Sequence, residues 1–282
     1  MCRGLCTVSM ASLIENCKRV PNRKLMEALF SRLGEKAPSN KVIMRKSDFH
    51  MRNLEYRLER MIANSDYDIK NLLESYKNTK ESLNNLELQF YELHLSHYIN
   101  RECDQYEQAM QKLCTALRRT IPEYELNSPV SQKLFTRTEI LILNNIARCQ
   151  YELGKKDEAL AMMDFLKNFL NSGIVGNREK SMHLPMVVFN IANWMGDKGK
   201  VKEALQMTNI GLEICKKYGR LPYFPYHIFN KGYCYAQLGE KEKAKSFFSN
   251  SFTIFDIMGK HDDTAYATPI INKQFGYDFP TD

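Results

Sequence analysis

The stretch "LNNIARCQYELGKKDEAL", residues 143 to 160, decides the fold because the chain repeats its pattern twice more. "VFNIANWMGDKGKVKEAL" at 188 to 205 and "IFNKGYCYAQLGEKEKAK" at 228 to 245 align on it without gaps. Each copy has a glycine (Gly154, Gly199, Gly239) followed five residues later by an alanine (Ala159, Ala204, Ala244). The glycine closes one helix in the left-handed conformation that it alone adopts cheaply. The alanine lets a second helix pack closely on the first, against the small residues Ala147, Ala192 and Gly232. Leu143 and Ile146, Val188 and Ile191, and Ile228 and Tyr235 supply the apolar face of each first helix.

The remainder follows the same helical period. "LMEALFSRLG", "YEQAMQKLCTAL" and "DEALAMMDFLKNFL" place apolar residues at steps of three and four, and the 13 glycines and 9 prolines are sparse for 282 residues. An all-α class is expected. The three copies resemble the tetratricopeptide repeat, although their spacings of 45 and 40 residues exceed its usual period of about 34 and require longer helices or loops. "INRECDQYEQAMQKLCTAL", with Ala109 in the alanine's place, reads as a degraded fourth unit, and "RLERMIANSDYDIKNLLESY" as a weaker fifth. The expectation is a partial helix-turn-helix segment (1–34), a linker around "GEKAPSNK" (35–41), and a repeat domain (42–282). That domain is read as a right-handed α-solenoid of about five degenerate helix pairs, with "TAYATPIINKQFG" as its capping helix.

Bulk properties narrow the function. No run approaches the roughly 18 apolar residues of a membrane span, and no signal-peptide pattern opens the chain, so a cytoplasmic protein is expected. Eight scattered cysteines without a C-x-x-C pair read as reduced thiols, with no metal or cofactor expected. Residues 1 to 60 hold 13 Lys/Arg against 6 Asp/Glu, while the other 222 residues hold 27 of each. The whole surplus of +7 therefore sits at one end, the footprint of a polyanion-binding surface. No glycine-rich phosphate loop, nucleophile elbow or metal-ligand cluster points to an enzyme; His94 and His97 lack further ligands and read as surface or packing residues.

Two sets of residues are candidate sites. Nine residues before each repeat glycine stands an asparagine: Asn145, Asn190 and Asn230. Six before stand Arg148, Asn193 and Tyr233. Asparagine offers both a donor and an acceptor, so a ladder of them can hold the amides of an extended peptide, with Phe189 and Phe229 as neighbouring pockets. The alternative, that these asparagines bond to adjacent loops or face water, stays open. The second set lies in "GLCTVSMASLIENCKRVPN", residues 4 to 22, where Thr7 is placed to cap a two-turn helix. Ala11 and Ile14 face inward, and Thr7, Val8, Ser9 and Ser12 lie where short side chains reach base edges. Lys18, Arg19, Arg23 and Lys24 are candidate phosphate contacts, and Asn22 caps a second helix packed through Leu25, Met26, Leu29 and Leu33.

"VSMASLIENCKRVPNRKLMEALFSRLG" resembles the later half of the Cro/λ-repressor helix-turn-helix, with Cys17 at the place of the usual glycine. The resembled domain has a first helix and most of a second ahead of "GLCTVS", where this sequence has Met1 to Arg3. Joined to degenerate repeats, the segment resembles the peptide-pheromone regulators of the Rgg, PlcR and PrgX kind. That resemblance implies a homodimer that binds a short peptide in its repeats, through groove-facing asparagines, and operator DNA through its N-terminal segment. The alternative is a repeat adaptor or antagonist that no longer binds DNA.

Overall fold

The computed structural model describes residues 2–35, 37, 46–63, 69–128 and 134–280. These form thirteen α-helices and no strand. The N-terminal segment holds α1 (Val8–Glu15) and α2 (Arg23–Arg32). The repeat pairs are α3 (Lys46–Ala63) with α4 (Ile69–Lys77), α5 (Asn85–Cys103) with α6 (Tyr106–Arg118), and α7 (Arg137–Glu152) with α8 (Lys156–Asn171). They continue with α9 (Asn177–Asp197) and α10 (Val201–Tyr218), then α11 (Phe224–Gln237) and α12 (Lys241–Ile257), and α13 (His261–Phe275) follows. Five tetratricopeptide-like pairs and a further helix thus stand where the spacing placed them. Of the expected linker, only Glu35 and Ala37 are described; its other residues lie outside the described ones. Packing divides the chain into two compact units, Met1–Glu179 and Lys180–Asp282.

The repeat signature has one physical basis in all three copies. Gly154, Gly199 and Gly239 have φ of +80°, +74° and +79°. The residue after each donates its N–H to a carbonyl five residues back, as Lys155 does to Gln150, Lys200 to Met195 and Glu240 to Tyr235, each at 2.9 Å. This is the Schellman closure, which satisfies carbonyls that the helix end leaves open. Ala159, Ala204 and Ala244 are fully buried. At Gly232 a Cβ would lie 2.9 Å from the Phe248 ring and 3.2 Å from the Ala244 carbonyl oxygen, so α11 and α12 touch through a position with no room for a side chain.

In the first unit, Met51, Leu54 and Leu58 of α3 close on Ile69, Leu72, Leu73 and Tyr76 of α4 and on Phe90 of α5. In the second, Phe248 and Ile271 centre an aromatic cluster that includes Phe229, Phe252, Tyr277 and Phe279. Cys114, Cys149, Cys215 and Cys234 are buried as small apolar groups. Burial pushes the Cys215 and Cys234 thiols up to about 11. No helix among the described residues is long and apolar enough to cross a membrane.

Candidate functional site

The N-terminal helices start and stop by the local rules that the sequence obeys. Thr7 Oγ1 accepts from Met10 N at 3.1 Å, and Asn22 Oδ1 accepts from Leu25 N at 2.9 Å. Between them, Cys17 has φ +55°. Its N–H donates to the Ile14 carbonyl at 3.0 Å and that of Lys18 to the Leu13 carbonyl at 2.8 Å, so Cys17 occupies the left-handed position of a Schellman turn. A residue with a Cβ is strained there. Cys17→Gly is expected to stabilise the end of α1 by roughly 0.5–1 kcal/mol, read as slower amide hydrogen exchange across α1. Unchanged or faster exchange would contradict the strain.

α2 is held on the repeats of the first unit by buried charge. Glu55 on α3 accepts from Arg23 and lies 2.8 Å from Lys24 Nζ, with all three side chains at least four-fifths buried. Tyr76 Oη donates to the same carboxylate at 3.2 Å. Burial pushes the Glu55 carboxyl up, but Lys24 and Arg23 outweigh it and leave it below the usual carboxylate range. Arg23 also pairs with Glu27 one turn on, and Lys24 Nζ sits 4.0 Å above the Phe90 ring. At the other end of α2, Arg32 reaches Glu139 of α7 at 2.7 Å, the two side chains 2% and 0% exposed. Glu139 completes a capping box by accepting from Thr136 N at 2.6 Å. Ser31 Oγ accepts from Arg137 N, and the Gly34 and Gly176 backbones meet so closely that a Cβ at Gly34 would lie 2.7 Å from Gly176 N. A cavity of about 480 Å³ lies at this junction, and its lining charges balance: Arg23, Lys24, Arg52, Arg137 and Arg178 face five glutamates.

Two of the candidate phosphate contacts, Arg23 and Lys24, are paired with Glu55. Thr7, Val8, Ser9, Ser12, Lys18 and Arg19 are all exposed, with Val8 at 78%. They share the surface of α1 and its following turn. Ala11 is buried and Ile14 half-buried beneath them. Leu33 is 50% exposed rather than packed beneath α2, since Arg32 takes the inward position there.

The asparagines at one offset occupy three different environments. In the first unit, Asn145 is half-buried, and its Oδ1 lies 3.5 Å from Arg148 Nη1, which is exposed. In the second unit, Asn190 and Asn193 are half-buried on α9. Asn230 is 3% exposed and donates to Thr208 Oγ1 at 3.4 Å, which makes it a contact between α11 and α10. Tyr233 is engaged with α13, its hydroxyl bonded to Gln274 and its ring edge-on to Phe275 at 5.2 Å. Phe189 packs among Tyr223, Tyr226 and His227, and Phe229 against Phe248 and Phe252. His94 is buried, stacked on Phe90 with Nδ1 2.9 Å from the Phe90 carbonyl oxygen; burial lowers it to about 3. His97 is lowered by burial to about 4. Glu55 and Glu139 were not legible as partners of α2, for they stand 32 and 107 residues away from the arginines they hold.

The N-terminal segment is thus two short capped helices joined by a tight turn and packed on tetratricopeptide-like pairs. In fold the chain is similar to PlcR of Bacillus thuringiensis in complex with the peptide PapR7 and DNA, with a TM-score of 0.67 and 17% identity. That match covers 96% of this chain and 92% of the other. The apo form of the same protein matches with a TM-score of 0.60 over 91% of this chain and 90% of that one, at 17% identity. A Rap protein complexed with Competence and Sporulation Factor matches with a TM-score of 0.57 and 14% identity, over 83% of this chain and 67% of that one. No protein-family model and no curated protein sequence matches the chain.

Proposed function

We propose that the chain is a peptide-responsive transcriptional regulator, cytoplasmic and homodimeric, that binds a short peptide through its repeats and operator DNA through α1. The observation that carries this reading is the division of labour within the N-terminal segment. α2 spends its cations on buried carboxylates of the repeats, while α1 leaves Thr7, Val8, Ser9, Ser12, Lys18 and Arg19 open to solvent. Short polar side chains read base edges and the two basic residues hold phosphates. Because α2 is locked to the repeats, a peptide that shifts those repeats moves the DNA-facing helix with them. The likeness to a regulator crystallised with peptide and DNA supports the reading at the level of fold.

For the peptide, α9 of the second unit offers Asn190 with Asn193, one helical turn apart and half-buried; Asn145 with Arg148 is a like pair on α7 of the first unit. Asn230 leaves the set because it is buried against Thr208. A pool of random heptapeptides screened against the full chain is expected to yield binders. Asn190→Ala should weaken them by about 1–3 kcal/mol, since the peptide amides lose their partner. Unchanged affinity would make the asparagine structural. The second reading, an adaptor or antagonist that does not bind DNA, is favoured by one observation: two of the four candidate phosphate contacts, Arg23 and Lys24, are paired with Glu55 and Glu27.

A further inference from the structure

After α13 the chain turns at Gly276, φ +70°, and residues 277 to 280 run back extended over the last helix pair. The way this short segment is held is that of a bound peptide. Asn272 Nδ2 donates to the Phe279 carbonyl at 2.7 Å, and Asn272 Oδ1 accepts from Phe279 N at 3.1 Å. This two-point grip recognises a backbone whatever side chain it carries. Tyr277 and Phe279 point inward and are half-buried, while Asp278 between them is exposed, the alternation of an extended strand lying on a surface.

The recess they enter is aromatic. Phe279 meets Phe252 edge-on at 5.3 Å and Phe248 at 6.2 Å; Tyr277 meets Phe248 at 5.7 Å. Tyr277 Oη donates to the Lys241 carbonyl at 3.2 Å. Lys245 Nζ lies 3.1 Å from Asp278 and 5.9 Å from the centre of the Phe279 ring. Each recognition element therefore has a counterpart: an aromatic slot, a cation, a second aromatic slot and an amide clamp. The segment remains only partly enclosed, and its ion pair is open to solvent.

We propose that the face of α12 and α13 bearing Phe248, Phe252, Lys245 and Asn272 is a docking site for an extended peptide of the pattern aromatic–acidic–aromatic, occupied in this chain by its own residues 277 to 279. The site is separate from the asparagines of α7 and α9 and does not depend on them. A resident segment on so short a connection acts as an internal competitor at an effective concentration on the order of millimolar, so a peptide from outside binds well only when the segment is released.

The test uses the full chain and a fluorescent, end-blocked peptide of sequence GYDFP. Wild type is expected to bind it weakly. Tyr277→Ser with Phe279→Ser, which empties the recess, should bind it about tenfold more tightly or better, by the removal of that competitor. Adding Lys245→Glu should reverse the preference, so that GYKFP binds better than GYDFP. The gain on emptying the recess should persist in an Asn190→Ala background, which keeps the outcome apart from that of the peptide reading above. If the emptied variant loses helicity, Asp278→Lys sets the segment against Lys245 and loosens it while leaving Phe248, Phe252, Lys245 and Asn272 in place, and tighter binding of GYDFP is expected there as well. Failure of a folded, loosened variant to bind GYDFP, or equal binding of GYDFP and GYKFP, would overturn the proposal and leave the segment a structural cap.

Discussion

Arg32→Ala is expected to destabilise the first unit by about 3–5 kcal/mol, the cost of leaving a buried carboxylate without its cation. Arg32 and Glu139 are 2% and 0% exposed, so water cannot replace the missing partner as it would at the exposed Arg3–Glu123 pair. The effect should fall mainly on how α2 is held, because Arg32 also donates to the Arg3 carbonyl and so ties the stretch before α1 to the same point. Replacing both partners, Arg32→Met with Glu139→Gln, should recover most of the stability. The glutamine keeps the capping box with Thr136, and the buried site no longer holds a charge. Denaturant unfolding of the full chain, followed by hydrogen exchange in α2, measures both variants. A cost below about 1 kcal/mol for Arg32→Ala would mean that the pair is not buried as described.

Gly211→Ala should cost the second unit roughly 3–5 kcal/mol, summing overpacking with the loss of a buried hydrogen bond. A Cβ on Gly211 would lie 2.0 Å from His227 Cε1 and 2.4 Å from Nε2. The ring has no free direction. It is fully buried, edge-on to Phe189 at 5.8 Å, with Nε2 3.1 Å from the Pro185 carbonyl oxygen. Burial lowers His227 to about 4, so the ring is neutral near pH 7, and the contact to Pro185 makes Nε2 the protonated nitrogen. His227→Ala added to Gly211→Ala should return part of the stability by removing the clash, at the expense of a small cavity. Thermal unfolding of the three variants checks this. A Gly211→Ala protein as stable as wild type would place the imidazole elsewhere.

These two positions show where sequence reading reached and where it stopped. The helix pairs were legible because Gly154, Gly199 and Gly239 must close a helix and Ala159, Ala204 and Ala244 must admit a neighbour; both demands are local and fix residue type. The caps at Thr7 and Asn22 were legible for the same reason. What a side chain faces across the fold was not. Asn145, Asn190 and Asn230 share an offset, yet the last is buried by Thr208 from the preceding helix, a neighbour that the offset does not specify. Arg23 and Lys24 look identical in kind to Lys18 and Arg19 along the chain. Only the position of Glu55, brought up by α3, separates cations held inside from cations left exposed. Gly211 carries no repeat signature at all, and its role appears only once His227 is placed against it.

The proposed regulator needs α1 and the turn after it as a DNA-binding face while α2 is held on the repeats. Affinity of the full chain for duplex DNA, measured across a range of salt concentrations, tests it most directly. Binding that weakens steeply with salt is expected. For Lys18→Ala with Arg19→Ala, the slope of log affinity against log salt should shrink by about two, near 0.9 for each phosphate that is no longer neutralised. Binding that is absent at low salt, or a slope that the double substitution leaves unchanged, would contradict it.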